Sequence, residues 1–576
     1  MKYKCISFIA LLCIISSAVN AQYVTPGNGQ KFDLASLAST SNGVITVADG
    51  IFTISANVTL SATDTLEIIT NETVLFSQAV QVNVEGVLHC NPPEQVIFRA
   101  ADTTLNFKGF RFNESNGSLL NNASIEFAGG TKVMKSDIII SNCRFYKHNY
   151  ALSSGALDIF QCDPLVVNCV FENNERSAIM TSANASASPT ILNCRFITNS
   201  TKNSNRPQIN LGTGSANPII VRGNYIEGAY SVVGGLSIAL LTGGSATVVV
   251  DSNIITNNRY GINIYGVDLS YTITNNIITN NNLETNPANG GSGISFNGPN
   301  QGTVAGNTIT GNLWGITLLN NAQPNLGQID PTVINRGENW IFDNGNGGAI
   351  YNLYNNTPNL IYAENNYWGT EIQEEIEIGI FHQPDDITLG LVDYIPFYQL
   401  STQNNIVSFS LFVGSADITG DIIDESNQIV VLIPPQNPIT ELVATFEISE
   451  KATIWVDDVQ QVSGITANDY SEPVVFNVIA ENGEERLYTV IADIAPHIQG
   501  QDMSVLVSPN PANESVFIRS HINIQRVTLL TIDGKVIREN NSGAEWVDVA
   551  DIENGLYLLR IETHEGTALK KIVVNH

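Results

Sequence analysis

Cations recur on four polar segments of the chain: Lys147-His148, Arg176, Lys202 with Arg206, and Arg259 with Tyr260. Guanidinium and ammonium groups in a row can hold the carboxylates of an anionic polymer. In lyase chemistry such cations neutralise a uronate, and a Lys, Arg, His or Tyr then takes the proton at C5. Lys202, Arg206, Arg259 and Tyr260 are the candidates for that catalytic role, and Lys147, His148, Arg176 and Arg206 the candidates for substrate binding. The same pattern has a plainer reading, because surface turns need charge for solubility. Hydrolysis would instead need two carboxyl groups a few ångströms apart. Asp158 and Asp163 are the nearest candidates, but they fall on different parts of the repeat described below; the pairs Asp385-Asp386 and Asp457-Asp458 lie outside it.

The chain has 576 residues, with 26 basic and 55 acidic side chains and a formal charge of −29. That length allows several domains. A chain so acidic is not expected to partner nucleic acid or an anionic membrane through its overall field. The opening "MKYKCISFIALLCIISSAVNAQ" has Lys2 and Lys4 at its start, then an apolar run, then short residues before a cut after Ala21. Residues 1–21 therefore read as a secretory signal peptide. No later apolar run is long enough to cross a bilayer, so no transmembrane segment is expected in the mature chain. Five cysteines follow the signal peptide: Cys90, Cys143, Cys162, Cys169 and Cys194. There is no Cys-x-x-Cys pair and no His/Cys cluster of zinc spacing, so neither a metal site nor a cofactor is predicted. Calcium (Ca2+) bridging acidic turns and a uronate is the one ion left open, although no loop has a recognisable calcium spacing.

The elements that must position these groups are legible as a repeat. Cys143, Cys169, Cys194, Asn224, Asn253, Asn276, Asn307, then Asn339 or Trp340, then Asn366 form one column, roughly 28 residues per step, in the range of solenoids. Two positions later stands a large apolar residue: Phe145, Phe171, Phe196, Ile226, Ile255, Ile278, Ile309 and Trp368. A spacing of two places both columns on one face of a strand. Each step also holds a polar turn, a second short strand such as "GINIYG" or "GITLL", and a third such as "SPTILNC" or "ATVVVDSN". Short strands repeated between Gly, Asn and Pro turns predict stacked coils of a parallel β-helix. Equivalent asparagines would lie about 4.8 Å apart and bond to one another, which offsets the cost of burying them. Three successive cysteines in that column would stack in parallel, so buried free thiols are expected rather than disulfides.

With its column and the "NNYWG" at Asn365–Gly369, the stretch over residues 22–400 resembles the right-handed parallel β-helix proteins of the pectate-lyase-like superfamily. Residues 401–495 read as alternating strands of an immunoglobulin-like β-sandwich. The tail, 503–576, carries Pro509-Asn510-Pro511-Ala512, Asp533-Gly534-Lys535, Asn554-Gly555-Leu556-Tyr557 and Lys570-Lys571-Ile572-Val573-Val574 in order. It closely resembles the type A C-terminal sorting domain of the type IX secretion system of Bacteroidetes. That resemblance implies a small seven-strand sandwich, export across the outer membrane and a partner in the secretion machinery. The expected fold class is thus all-β: a β-helix, then an immunoglobulin-like sandwich, then a small sorting sandwich. Two functions fit a secreted or surface protein of this kind. One is adhesin-like polysaccharide binding without chemistry; the other is a polysaccharide lyase or glycoside hydrolase working along the β-helix. Binding is preferred, because the Asn-Thr-Asp, Asp-Asp and Gly-His-Gly sets of polygalacturonase-type enzymes are missing from the repeats, and so is the Arg-x-Pro-x-x-Arg of pectate lyases.

Overall fold

The computed structural model describes residues 22–494 and 505–576, apart from Pro331, Ile334, Ser542, Ala544 and Glu565. The signal peptide read over 1–21 lies outside the described residues. The chain divides into two compact units, up to Gln399 and from Leu400.

The first unit is a solenoid of three parallel sheets. Among the described residues, sheet 1 has 14 strands, from Tyr23–Val24 to Ile380–Phe381; sheet 2 has 11, from Lys31–Phe32 to Gln301–Ala305; sheet 3 has 13, from Ile45–Ala48 to Trp340–Phe342. As far as Thr308–Thr310 the chain visits them in the order 1, 2, 3 in each coil, as in Gly155–Phe160, Leu165–Val167 and Val170–Glu172. Pairing between coils is parallel and in register, with one antiparallel hairpin, Ile45–Ala48 with Ile51–Ile54, at the start of sheet 3. Phe145, Phe171, Phe196, Ile226, Ile255, Ile278, Ile309 and Ile341 pair in succession at the centre of sheet 3 and are fully buried. The three phenylalanine rings stack at 4.6 and 5.1 Å. Each such side chain contributes about 1.5–3 kcal/mol by leaving water.

The corner between sheets 2 and 3 explains the asparagines. The residue before each column member has a left-handed backbone: Asn142, Asn168, Asn193, Gly223, Ser252, Asn275, Gly306, Glu338 and Asn365. Asparagine and glycine adopt that conformation at least cost, which accounts for the recurring Asn-Asn, Asn-Cys and Gly-Asn pairs. The column residue then turns inward and bonds to the next coil. Cys194 N donates to Asn224 Oδ1 at 2.8 Å, and the amides of Asn224, Asn253, Asn276, Asn307, Asn339 and Asn366 follow one another at 2.8–2.9 Å. Asn339, not Trp340, holds the column in its coil. Cys143 N and Cys169 N donate to the Sγ of the next cysteine at 3.4 and 3.3 Å. All five cysteines are buried and unpaired.

Both ends of the solenoid are closed. Asp33 caps the helix Leu34–Thr40, which buries Leu34 and Leu37. The buried Asp64 carboxylate gathers the backbone N–H groups of Gly27, Asn28, Gly29 and Gln30 at 2.8–3.1 Å. At the far end the helix Gln373–Ile378 buries Ile376, and Glu377 accepts bonds from the Tyr394 hydroxyl at 2.8 Å and His382 Nε2 at 3.0 Å. His382 Nδ1 accepts from Val392 N, so Nε2 carries the proton.

The second unit holds two sandwiches. Over 406–494, a four-stranded and a six-stranded sheet enclose Phe409, Phe476 and Tyr488, with Gln428–Ile433 running parallel to Glu485–Ile494. Over 505–576, sheets of three and four strands enclose Val516, Leu529, Leu559 and Ile572, which makes seven strands among the described residues. Here the tail motifs converge. The Asn510 amide bonds Lys571 O at 3.0 Å and Val573 N at 2.7 Å, pinning the Pro509-Asn510-Pro511 segment to the last strand. Tyr557 pairs with Ile572 on that strand, and its hydroxyl donates to Glu553 O. Gly534, in a left-handed conformation beside Lys535, makes the hairpin turn. No helix among the described residues is long and apolar enough to cross a membrane.

Candidate functional site

A second amide ladder runs at the corner between sheets 3 and 1. Its members stand five positions after those of the first: His148, Asn174, Asn199, Asn258, Asn281, Asn312 and Asn344. Asn174 donates to Asn199 at 2.7 Å, Asn258 to Asn281 at 3.0 Å and Asn312 to Asn344 at 2.9 Å. The coil after Asn199 has no asparagine at this corner. There Gln208 reaches across, accepting from Asn199 at 3.0 Å and donating to Asn258 at 3.1 Å. In the sequence this ladder is written as pairs such as Asn257-Asn258 and Gly311-Asn312.

This corner is where the solenoid varies. Loops of different length leave it before each strand of sheet 1, and together with the outer face of that sheet they form a groove. Its floor is a register column, Ser237, Asn263, Ser295, Thr317 and Tyr354 on successive strands. The alternation in Ile262–Tyr265 puts Ile262 and Ile264 inside and Asn263 and Tyr265 outside. Asn263 Nδ2 donates to Ser237 Oγ at 3.0 Å, and the hydroxyls of Ser292 and Thr317 bond at 3.0 Å. Tyr260, Tyr265, Trp314 and Tyr354 give aromatic surface to the lining. Trp314 is held by Tyr351 and Tyr354, with ring centres 4.5 and 5.1 Å away, and by its Nε1–H on Pro287 O at 3.0 Å. Among the described residues, the groove lining contains no aspartate or glutamate, and its only charged residue is Arg259.

The sequence-derived candidates scatter around this groove. Arg259 and Tyr260 line it. The Arg259 guanidinium bonds Asn289 O and Asn205 Oδ1, fastening the loops on either side. The Tyr260 ring covers Gly234, where a Cβ would lie 2.1 Å from the ring. Burial pushes the Tyr260 hydroxyl up to about 12, against the pull of Ser237 and Arg259. Arg206 follows Asn205 at the groove's edge, beside Arg176, whose guanidinium lies 4.1 Å over the Tyr150 ring. Lys202 pairs with Glu175 at 3.5 Å. Lys147 is the left-handed residue of its corner, and His148 after it is a buried ladder member, not a surface group. Its Nε2–H donates to Ile125 O at 2.9 Å, and burial lowers its pKa to about 4. Asp158 and Asp163 do not share a site. Asp158 is buried between Lys132 and Met180 on sheet 1, which raises its pKa, while Asp163 ties together Ser188, Ser215 and Asn217. Trp314, Tyr265 and Tyr354 were missed, although the period-two alternation of their strands marks Tyr265 as outward.

Three family models match the chain: "Right handed beta helix region" over 42–266, "SGBP, N-terminal" over 406–492, and "Secretion system C-terminal sorting domain" over 506–575. The chain is a right-handed parallel β-helix with a type IX sorting tail. It is a secreted or cell-surface protein. Among solved structures, the periplasmic alginate epimerase AlgG matches with 11% identity and a TM-score of 0.30, over 64% of this chain and 83% of that one. The enzymatically active domain of bacteriophage CBA120 tailspike protein 2 matches with 9% identity and a TM-score of 0.21, over 95% and 72%. No curated protein matches significantly.

Proposed function

We propose that this protein binds a polysaccharide along the groove of sheet 1 and performs no chemistry on it. The observation that carries the reading is the lining: aromatic faces and a floor of hydroxyls and amides, without a carboxylate, in a chain of charge −29. Aromatic faces suit the apolar faces of sugar rings, and convergent hydroxyls and amides suit sugar hydroxyls. Hydrolysis needs paired carboxyl groups, which this lining lacks. Tyr260 stays protonated at neutral pH and so makes a poor base. The likeness of 406–492 to a surface glycan-binding domain agrees with a glycan ligand.

Affinity electrophoresis through gels containing defined polysaccharides tests the proposal. The mature protein should be retarded by at least one polymer, and Trp314→Ala with Tyr265→Ala should abolish most of that retardation. Retention unchanged in the double variant would refute the groove. The lyase alternative keeps one supporting observation, the placement of Arg259 beside Tyr260 in the lining. New ultraviolet absorbance from unsaturated ends, lost in Tyr260→Phe, would replace the binding-only reading with that one.

A further inference from the structure

Among the described residues, six of the fifteen lysines and arginines of the solenoid have an acidic partner; Arg144 sits between Glu126 and Glu172, Arg222 pairs with Asp251, and Lys202 with Glu175. Arg176 and Arg206 are among the other nine, and they lie side by side at the edge of the groove. Among the described residues no carboxylate lies within ion-pair distance of either, although acidic residues outnumber basic ones by 55 to 26. They are neighbours: Ser177 Oγ donates to Pro207 O at 2.7 Å, which ties together the residues that follow each arginine. Both are half-buried, and both are held. Arg176 lies on the Tyr150 ring, and its backbone carbonyl accepts Ser200 N at 3.0 Å. Arg206 follows Asn205, which Arg259 fastens to the groove wall. Burial and the charge of Arg176 lower the pKa of Arg206, as two like charges held together without a counter-ion require.

We propose that Arg176 and Arg206 form an anion subsite at the edge of the groove, taking a carboxylate or sulfate-ester group of the bound polysaccharide. The inference rests on the groove reading above and adds the charge of the ligand to it. Two planar guanidinium forks present more donors than an isolated sulfate or carboxylate can find on this acidic surface, and both anions match their geometry. The subsite adjoins a lining that carries no negative charge, so an anionic chain entering the groove meets no repulsion there.

The mature protein is titrated with three soluble polymers: alginate for carboxylates, carrageenan for sulfate esters, and neutral dextran. For the anionic polymer that binds, Arg176→Gln with Arg206→Gln should raise Kd about tenfold and flatten its salt dependence. Arg176→Lys with Arg206→Lys, which keeps the charge and loses the forks, should fall between. Which anionic polymer responds separates uronate from sulfate ester. Hydrogen exchange over 195–240 in the Gln variant should match the parent, which separates lost binding from lost folding. An unchanged Kd for both anionic polymers in the Gln variant overturns the subsite, and Trp314→Ala in parallel then shows whether the groove survives. Binding to dextran alone also overturns the subsite and keeps the groove, whereas no binding to any of the three overturns both.

Discussion

The two amide ladders obey one hydrogen-bond rule but serve different corners. The ladder between sheets 2 and 3 turns the chain in two residues per coil, such as Asn168 and Cys169, and admits no insertion among coils 143–310. The ladder between sheets 3 and 1 tolerates long excursions, among them 198–208 and 280–291, because the asparagine at the loop's root fixes where the strand ends whatever follows it. The first corner therefore sets the pitch of the solenoid, and the second lets loops vary on a fixed root. The groove lies beside the second. The heads of the ladders also differ: the Cys143 thiol begins the first and donates to Leu120 O, and the His148 imidazole begins the second and donates to Ile125 O.

The largest expected effect comes from cutting the tight ladder. In Asn276→Ala, the backbone N–H and side-chain amide of Asn253 both lose their acceptor at 2.9 Å, and Val250 O loses a donor. Two stranded buried donors cost about 4 kcal/mol together. In a modular chain the useful readout is local, so hydrogen exchange over 250–280 should report that loss. A change below about 1 kcal/mol would mean that water replaces the amide and that the ladder does not set the coil. The second largest lies at the imidazole. Burial holds His148 neutral with a folded-state pKa of about 4, below the unfolded value near 6.5. Its contribution is whole above about pH 6.5 and is lost as the pH falls towards 4, about 3 kcal/mol in all. His148→Asn puts an amide at the head of the ladder and should remove that acid-sensitive share of melting. An unchanged pH profile would place the acid sensitivity elsewhere.

The contrast between the corners also marks what could be read in the chain. In-register stacking forces the same residue type onto the same corner, so the Asn and Cys column and its apolar partner two places on exposed the β-helix. One ambiguous member, Asn339 or Trp340, resolved as Asn339 because the following Ile341 falls in the core. The tail motifs were legible because Asn510, Tyr557 and Lys571 all meet on one strand. The second ladder is written at a constant offset, yet Lys147-His148 reads as a basic pair, because its charges mask a left-handed corner at Lys147 and a buried ladder member after it. The groove was harder. Tyr265, Trp314 and Tyr354 come from strands separated by loops of unequal length, so no period joins them, and only the fold puts Trp314 against Tyr354.

Gln208 is the sharpest test of how the looser corner keeps its ladder. It sits at the start of its sheet 1 strand, not at the corner, and fills the rung that the coil of Tyr225–Glu227 leaves empty. Only the extra methylene lets one amide serve Asn199 on one side and Asn258 on the other. Gln208→Asn keeps the chemistry and shortens the reach, so one neighbour must go without a partner, at about 2 kcal/mol for a single buried amide. Exchange should rise at Asn199 or at Asn258 but not at both, and the first ladder, which has no such rung, should be unaffected between Asn224 and Asn253. If both ladders loosen together, the corners are mechanically coupled and loop variation at the groove is not free of the pitch set opposite. If neither loosens, the backbone shifts to close the gap, and what holds this corner is the sheet pairing on either side rather than the amides.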